Sequence, residues 1–198
     1  MYRIRVLLVF LSAIALALAA AGCGGDGEDG GDSASRTTPD AWAATVCGAL
    51  GDWVEELQAE SQSLQPAMRN TTDLASVKKA FVTFLEDAEE SISETVDKVE
   101  DAGAPDLPRG EEMQNDFVAA LKKVEQSLSR AVAQANELST SNLQSFSTGV
   151  SEVGEDVQTN LGDAGKAFNS LSDRFKSTEL DNATNAEPEC QQFKPAPS

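Results

Sequence analysis

The fold is decided by residues 113–138, MQNDFVAALKKVEQSLSRAVAQANEL. Apolar side chains recur there at intervals of three or four residues, which places them on one face of an α-helix. This spacing, held over the whole stretch, predicts a long amphipathic helix that packs along other helices. The positions are Met113, Phe117, Leu121, Val124, Leu128, Ala131, Ala135 and Leu138.

The same spacing occurs in three other segments, and Pro, Gly or Ser/Thr clusters separate the segments from one another. Thr38 and Thr72 are predicted to cap the first and second helices, and Pro66 is predicted to end the first. No segment alternates apolar and polar residues, so we expect no sheet. Short connections favour an antiparallel up-down four-helix bundle, an all-α fold that spans 39–193 as one domain. The predicted helices run from about Pro39 to Gln65, Thr72 to Ala102, Arg109 to Leu138 and Ser141 to Ser177.

The connection between the third and fourth helices, residues 139–142, contains neither Gly nor Pro. Ser141 and Gln144 have the spacing of a capping box, which favours a turn and a new helix. The apolar spacing can also continue through Asn142. The alternative is therefore an extended three-helix form in which helices 3 and 4 are continuous.

The N-terminus has the features of an export signal. Arg3 and Arg5 precede an apolar run, and residues 1–22 are predicted to be a signal peptide. The run ends in Leu-Ala-Ala-Ala-Gly-Cys at 18–23, which resembles a bacterial lipobox. This resemblance implies that Cys23 is lipidated and becomes the first residue of a mature chain held at the membrane, on its extracytoplasmic face. The alternative is an ordinary secretory signal with an incidental cysteine.

Residues 23–38 comprise Cys23 and a stretch rich in Gly and Asp, a composition that cannot bury a core and is typical of a flexible tether. The short tail 194–198 is expected to be disordered. The chain has 33 acidic and 15 basic residues and a formal charge of -18. Removal of 1–22 takes away two arginines and no acid, which leaves -20. This charge excludes nucleic acid as a partner, because such binding depends on Lys and Arg.

The sequence has no histidine, which removes the commonest general base and the commonest metal ligand. We therefore expect no enzymatic activity, no catalytic residue, no metal and no cofactor. Cys47 and Cys190 remain once Cys23 is lipidated, and an even pair in an exported chain predicts a disulfide. The antiparallel topology returns the tail after the fourth helix to the end of the bundle that holds Cys47. The alternative is two unpaired thiols packed as small apolar groups.

Two features of the helices point to binding. Gly149, Gly154, Gly162 and Gly165 lie inside the fourth helix, where each costs about 1 kcal/mol relative to Ala. They either admit a neighbouring helix closely or open a groove for an apolar ligand. Like charges follow one another in residues 86–94 of the second helix, at Glu86, Asp87, Glu89, Glu90 and Glu94. This run is interpreted as a solvated face, with a cation or a basic partner as the alternative.

In its organisation the chain resembles the small Ala- and Gly-rich exported lipoproteins of actinobacteria, with a lipobox, a Gly/Asp tether and a helical domain that has one early and one late cysteine. The resemblance implies location and architecture but no mechanism. These features are consistent with two functions. The first is a non-enzymatic, lipid-anchored protein of the cell envelope that binds or scaffolds another envelope component. The alternative is a carrier or sensor of an apolar small molecule in a groove along the fourth helix.

Overall fold

The computed structural model describes residues 36–69 and 73–193, which form an all-α bundle without β-strands. The predicted signal peptide, Cys23, the tether up to residue 35 and the tail 194–198 lie outside these residues. Four long helices are followed by a short helix and a 3-10 helix. Their bounds are α1 Pro39–Arg69, α2 Leu74–Asp101, α3 Gly110–Glu137, α4 Leu143–Arg174, α5 Thr178–Ala186 and the 3-10 helix Pro188–Phe193.

The four long helices pack in chain order: α1 against α2, α2 against α3, and α3 against α4. Their apolar faces meet in one core, whose most deeply buried large side chains include Ile92, Leu121 and Val99. Phe117 of α3 connects the first and last of these helices, since its ring lies 5.8 Å from that of Trp42 and 5.1 Å from that of Phe168. Among the described residues, the backbones of α1 and α4 do not pack against each other as extensively as those of consecutive helices do.

The third and fourth helices are separate, so the four-helix form is correct and the continuous helix is not. Residues 138–142 leave the helical conformation between α3 and α4. The predicted cap was wrong: the side chain of Asn142, not Ser141, accepts a hydrogen bond from the backbone N–H of Ser145 at 2.9 Å. The hydroxyl of Ser141 instead contacts the hydroxyl of Ser139 at 2.9 Å. Asn is as good an N-cap as Ser, so the two neighbours compete and local geometry selects one.

Two further helix ends differ from the prediction. Pro66 does not end α1, which continues to Arg69. The proline lacks the N–H that would bond to the Gln62 carbonyl, and its ring crowds that carbonyl. Both residues are exposed and lie in the last turns of the helix, so water can replace the missing donor. At the start of α2 the cap is Asp73, whose side chain accepts from the Ser76 N–H at 3.1 Å, and not Thr72, which lies outside the described residues. Thr38 caps α1 as predicted, with its hydroxyl accepting from the Ala41 N–H at 3.2 Å.

The chain after α4 folds back onto α1, as the sequence predicted, but it is more ordered than expected. The Ser177 hydroxyl accepts from the Leu180 N–H at 2.9 Å and caps α5. Both α5 and the 3-10 helix pack against α1. This segment was not recognised as helical because it is short and because its apolar contacts depend on α1. None of the helices in the described ranges is long and apolar enough to span a membrane.

Candidate functional site

The chain enters the bundle at the end formed by the turn between α2 and α3. The Thr37 N–H donates to the Ala104 carbonyl at 3.0 Å, and the Asp106 N–H donates to the Thr37 carbonyl at 2.8 Å. Arg36 adds ion pairs to Asp106 at 3.3 Å and to Glu111 at 3.6 Å. The backbone hydrogen bonds are directional and hold Thr37 against this turn, so the described part of the chain begins at this end of the bundle, here called the entry end.

The two later cysteines meet near the entry end. Cys47 of α1 and Cys190 of the 3-10 helix form a disulfide with 5.0 Å between their Cα atoms, and both residues are buried. Around them lies a small apolar cluster, distinct from the main core, that includes Ala43, Ala183 and Phe193. We call residues 178–193 the clasp. Because the bond joins the clasp to α1, neither of these two cysteines keeps a free thiol for chemistry.

The four glycines that the sequence singled out do not share one environment. Gly149 faces α3 so closely that a Cβ atom there would overlap the Leu138 side chain. Gly162 and Gly165 have open space where a Cβ would lie, and Gly162 is exposed. Gly154 is half-buried. Gly149 lines a cleft, and the predicted groove along all four glycines stays a prediction.

This cleft lies between the C-terminal part of α3 and the N-terminal part of α4, at the end of the bundle opposite the entry end. It is open to solvent and has a volume of about 750 Å³. Its floor consists of Leu138, Gly149 and Val153, which are half-buried or buried. Exposed acidic side chains form its rim, together with uncharged polar residues. The rim acids are Glu137, Glu152 and Asp156.

The hydrogen bonds around this cleft leave most of its negative charge unpaired. Gln134 donates to the Asp156 carboxylate at 3.0 Å, but none of the described residues that line the cleft is basic. Lys78 of α2 lies at the same end and is engaged elsewhere: its ammonium donates to the carbonyls of Asn136 at 2.7 Å and Leu138 at 3.0 Å. The cleft therefore combines an apolar floor with an acidic rim.

A second open cleft, of about 310 Å³, lies between α1 and α2 and is lined by Ser63, Lys79 and Asp87 among others. Asp87 also acts on Glu60 of α1. Burial, then the negative charges of Asp87 and Glu56, raise the pKa of Glu60 to about 7. One carboxylate oxygen of Glu60 is buried and lacks a hydrogen-bond partner among the described residues. The carboxyl group therefore carries a proton more readily than an exposed one, because its charged form is poorly solvated.

Sequence reasoning missed the rim and Glu60. A signal for the rim was present, since Glu152 and Asp156 are like charges four residues apart on one face of α4, an arrangement that is unfavourable in an isolated helix. Glu137 joins them only through the register of α3 against α4. Within the described part of the chain, His, Cys, Asp and Glu form no group of three or more that could hold a metal ion. Comparison with protein-family models, curated proteins and solved structures finds no match for this chain.

Proposed function

We propose that this is a non-enzymatic protein of the cell envelope, anchored through a lipid on Cys23, that binds or scaffolds another envelope component. The signal sequence, the lipobox-like end at 18–23 and the acidic tether support the anchor. The lack of histidine in the sequence supports a binding role rather than catalysis. Two or more acyl chains hold a protein stably, so the helical domain itself needs no affinity for lipid.

The observation that carries this proposal is the entry of the chain at one end of the bundle, fixed by the hydrogen bonds of Thr37. The 31 residues of α1 give it a length of about 46 Å. An anchored bundle of this form presents its opposite end, with the cleft between α3 and α4, farthest from the lipid. The strongly acidic chain is repelled by anionic headgroups, which also favours a bundle that stands away from the surface.

The anchor is tested with Cys23→Ser in the native host. We expect fatty-acid labelling of the protein and its partition into detergent to be lost, while the variant is still exported. Gly22→Ala, which keeps the thiol and the small residues before it, is the matched control and retains both. Labelling that persists in Cys23→Ser contradicts a lipid on this residue.

Binding is tested by native co-purification from membranes, with mass spectrometry of both proteins and lipids. The control carries residues 1–38 fused to an unrelated soluble domain, so that anchor and tether are the same in both samples. We expect an envelope protein to be enriched with the intact chain and not with the fusion. Recovery of neither a protein nor a lipid contradicts a binding role. Enrichment of an apolar small molecule alone favours the carrier function instead.

A further inference from the structure

We propose that the cleft between α3 and α4 is the docking site for a positively charged segment of a partner protein that carries at least one apolar side chain. This proposal rests on the function proposed above and names the surface and the chemistry of the partner. The cleft lies at the end of the bundle opposite the entry of the tether, where an approaching protein meets least obstruction from the membrane.

The dimensions of the cleft suit a short peptide segment. Its lining on α4 runs from Gln144 to Asp156, a distance of about 18 Å along the helix axis. A volume of about 750 Å³ holds several side chains rather than a single ion. The floor of Leu138 and Val153 offers apolar contact, which a purely ionic partner would leave unused.

Charge complementarity decides the class of occupant. Glu137 and Glu152 form no ion pair with any described residue, and Asp156 receives a hydrogen bond from the neutral Gln134. Two acids near the entry end, Glu112 and Asp116, are instead paired with Arg174, at 3.0 and 2.8 Å. The rim therefore has unpaired negative charge beside an apolar floor, and Lys or Arg next to an apolar residue complements both.

Gly149 contributes to the shape of this site. The helix loses stability at a glycine, yet a Cβ at this position would overlap the side chain of Leu138. The glycine thus lets Leu138 lie against α4 and form the floor of the cleft. The exposed Leu143, by contrast, does not line the cleft and offers a control for non-specific apolar contact.

The test uses the full chain purified in a nonionic detergent and a fluorescent synthetic helical peptide of Lys, Leu and Ala. Binding is measured by fluorescence anisotropy for wild type, for the rim variant Glu137→Gln/Glu152→Gln/Asp156→Asn, and for Glu86→Gln/Glu90→Gln/Glu94→Gln. The last variant removes the same charge from the exposed face of α2. We expect the rim variant to bind about tenfold more weakly and the α2 variant to change by less than about twofold. Leu143→Ser should bind as wild type does.

Equal weakening by the two charge variants overturns the proposal, because it assigns the attraction to net charge alone. A peptide in which Ser replaces Leu should also bind more weakly, and unchanged binding of that peptide overturns the role of the floor. Absence of any peptide binding overturns the site as a whole. Co-purification of the rim variant then separates the two proposals: a partner that is still recovered with it leaves the proposed function standing and removes this cleft from it.

Discussion

At the scale of single residues, Glu60 makes the stability of the bundle depend on pH. Burial and the charges of Asp87 and Glu56 raise its pKa to about 7, against an ordinary value of 4.5. The folded state therefore holds a proton that the unfolded chain releases, so the penalty is absent below about pH 4.5 and complete above about pH 7. We expect Glu60→Gln to stabilise the protein by about 1 kcal/mol at about pH 8, a discounted value because the group is only partly buried.

The same substitution should have no effect near pH 4, where Glu60 is protonated in both states. Urea denaturation of wild type and variant at both pH values measures the difference. Glu90→Gln, at an exposed position of α2, is the control and should shift stability by no more than a few tenths of a kcal/mol at either pH. A Glu60→Gln effect of equal size at both pH values would contradict a buried, protonated carboxyl group.

Gln114 is a buried polar residue that links three helices. Its side-chain oxygen accepts from the Trp42 Nε1 at 2.7 Å, and its amide nitrogen donates to the Val99 carbonyl near the end of α2. Carbonyls in the last turn of a helix lack partners within it, so Gln114 satisfies one of them. We expect Gln114→Leu to lower the free energy of unfolding by about 2 kcal/mol, because it leaves two buried polar groups unpaired.

Chemical denaturation checks this expectation, with Gln126→Leu at an exposed position of the same helix as the matched control. The control should change stability by less than about 0.5 kcal/mol. The double variant Trp42→Phe/Gln114→Leu removes the stranded donor of Trp42, leaves only the Val99 carbonyl unpaired and should recover part of the loss. A single variant as stable as wild type would show that water replaces the glutamine.

At the scale of helices and turns, two adjacent residues at the start of α4, Ser141 and Asn142, could each serve as its N-cap. Asn142 accepts the hydrogen bond from Ser145, whereas Ser141 bonds within the turn. We expect Asn142→Ala to destabilise the protein by about 1 kcal/mol and Ser141→Ala by no more than a few tenths. Thermal denaturation of the two variants side by side measures both changes. The reverse order would show that the capping box of Ser141 and Gln144 forms in solution.

This turn shows what a sequence can and cannot predict about helices. The intervals of three and four residues predicted all four long helices, because burial of an apolar face is the main source of helix stability. Helix ends depend instead on competition between adjacent side chains of similar capping ability, as at Ser141 and Asn142. The return of the clasp to α1 was predicted, but its helices were not, since α5 and the 3-10 helix bury Ala183 and Phe193 against α1 and have too few residues for a pattern of their own.

The clasp depends on one covalent bond. The disulfide joins residues that are 143 positions apart, and closing so long a loop stabilises a protein by about 5 kcal/mol in the chain-entropy estimate. We expect Cys47→Ala/Cys190→Ala to lose most of this stabilisation in urea denaturation. In native-state hydrogen exchange, amides of residues 178–193 should lose protection before those of α2 and α3, since the clasp packs mainly on α1. Simultaneous loss of protection everywhere would show that clasp and core unfold as one unit.

At the scale of the full chain, the packing of consecutive helices explains why the disulfide could be predicted from the sequence and the rim of the cleft could not. Cys47 and Cys190 were paired because they are the two cysteines that remain in a chain predicted to be exported, and the antiparallel topology supported the pairing because it returns the chain to a known end. The rim of the cleft required the register of α3 against α4, which brings Glu137 to Glu152 and Asp156 and cannot be read from apolar spacing. The acidic composition could be read from the sequence, but the position of the unpaired acids around the cleft could not. Only the packed helices show that an apolar floor accompanies the negative charge at this end.

The net charge of the chain should make its stability depend on salt concentration. The formal charge of -18 makes repulsion between carboxylates the dominant long-range term, and it opposes the compact state. Salt also weakens the exposed ion pairs, such as Arg174 with Asp116, but each of these contributes only about 0.2–1 kcal/mol. Because acids outnumber bases by more than two to one, screening should relieve more repulsion than it removes attraction.

We therefore expect stability to rise by about 1 kcal/mol between about 10 mM and about 300 mM sodium chloride, a range over which the screening length falls from roughly 30 Å to below 10 Å. Urea is the suitable denaturant, since it is uncharged and leaves the ionic strength unchanged. Sucrose is the control, because it favours compact states through its exclusion from the protein surface and does not screen charge. Its effect therefore separates stabilisation by solute exclusion from stabilisation by charge screening. The rim variant and the α2 variant each remove three negative charges and should both show a smaller rise. A fall in stability with salt would mean that the ion pairs, rather than the net charge, govern this bundle.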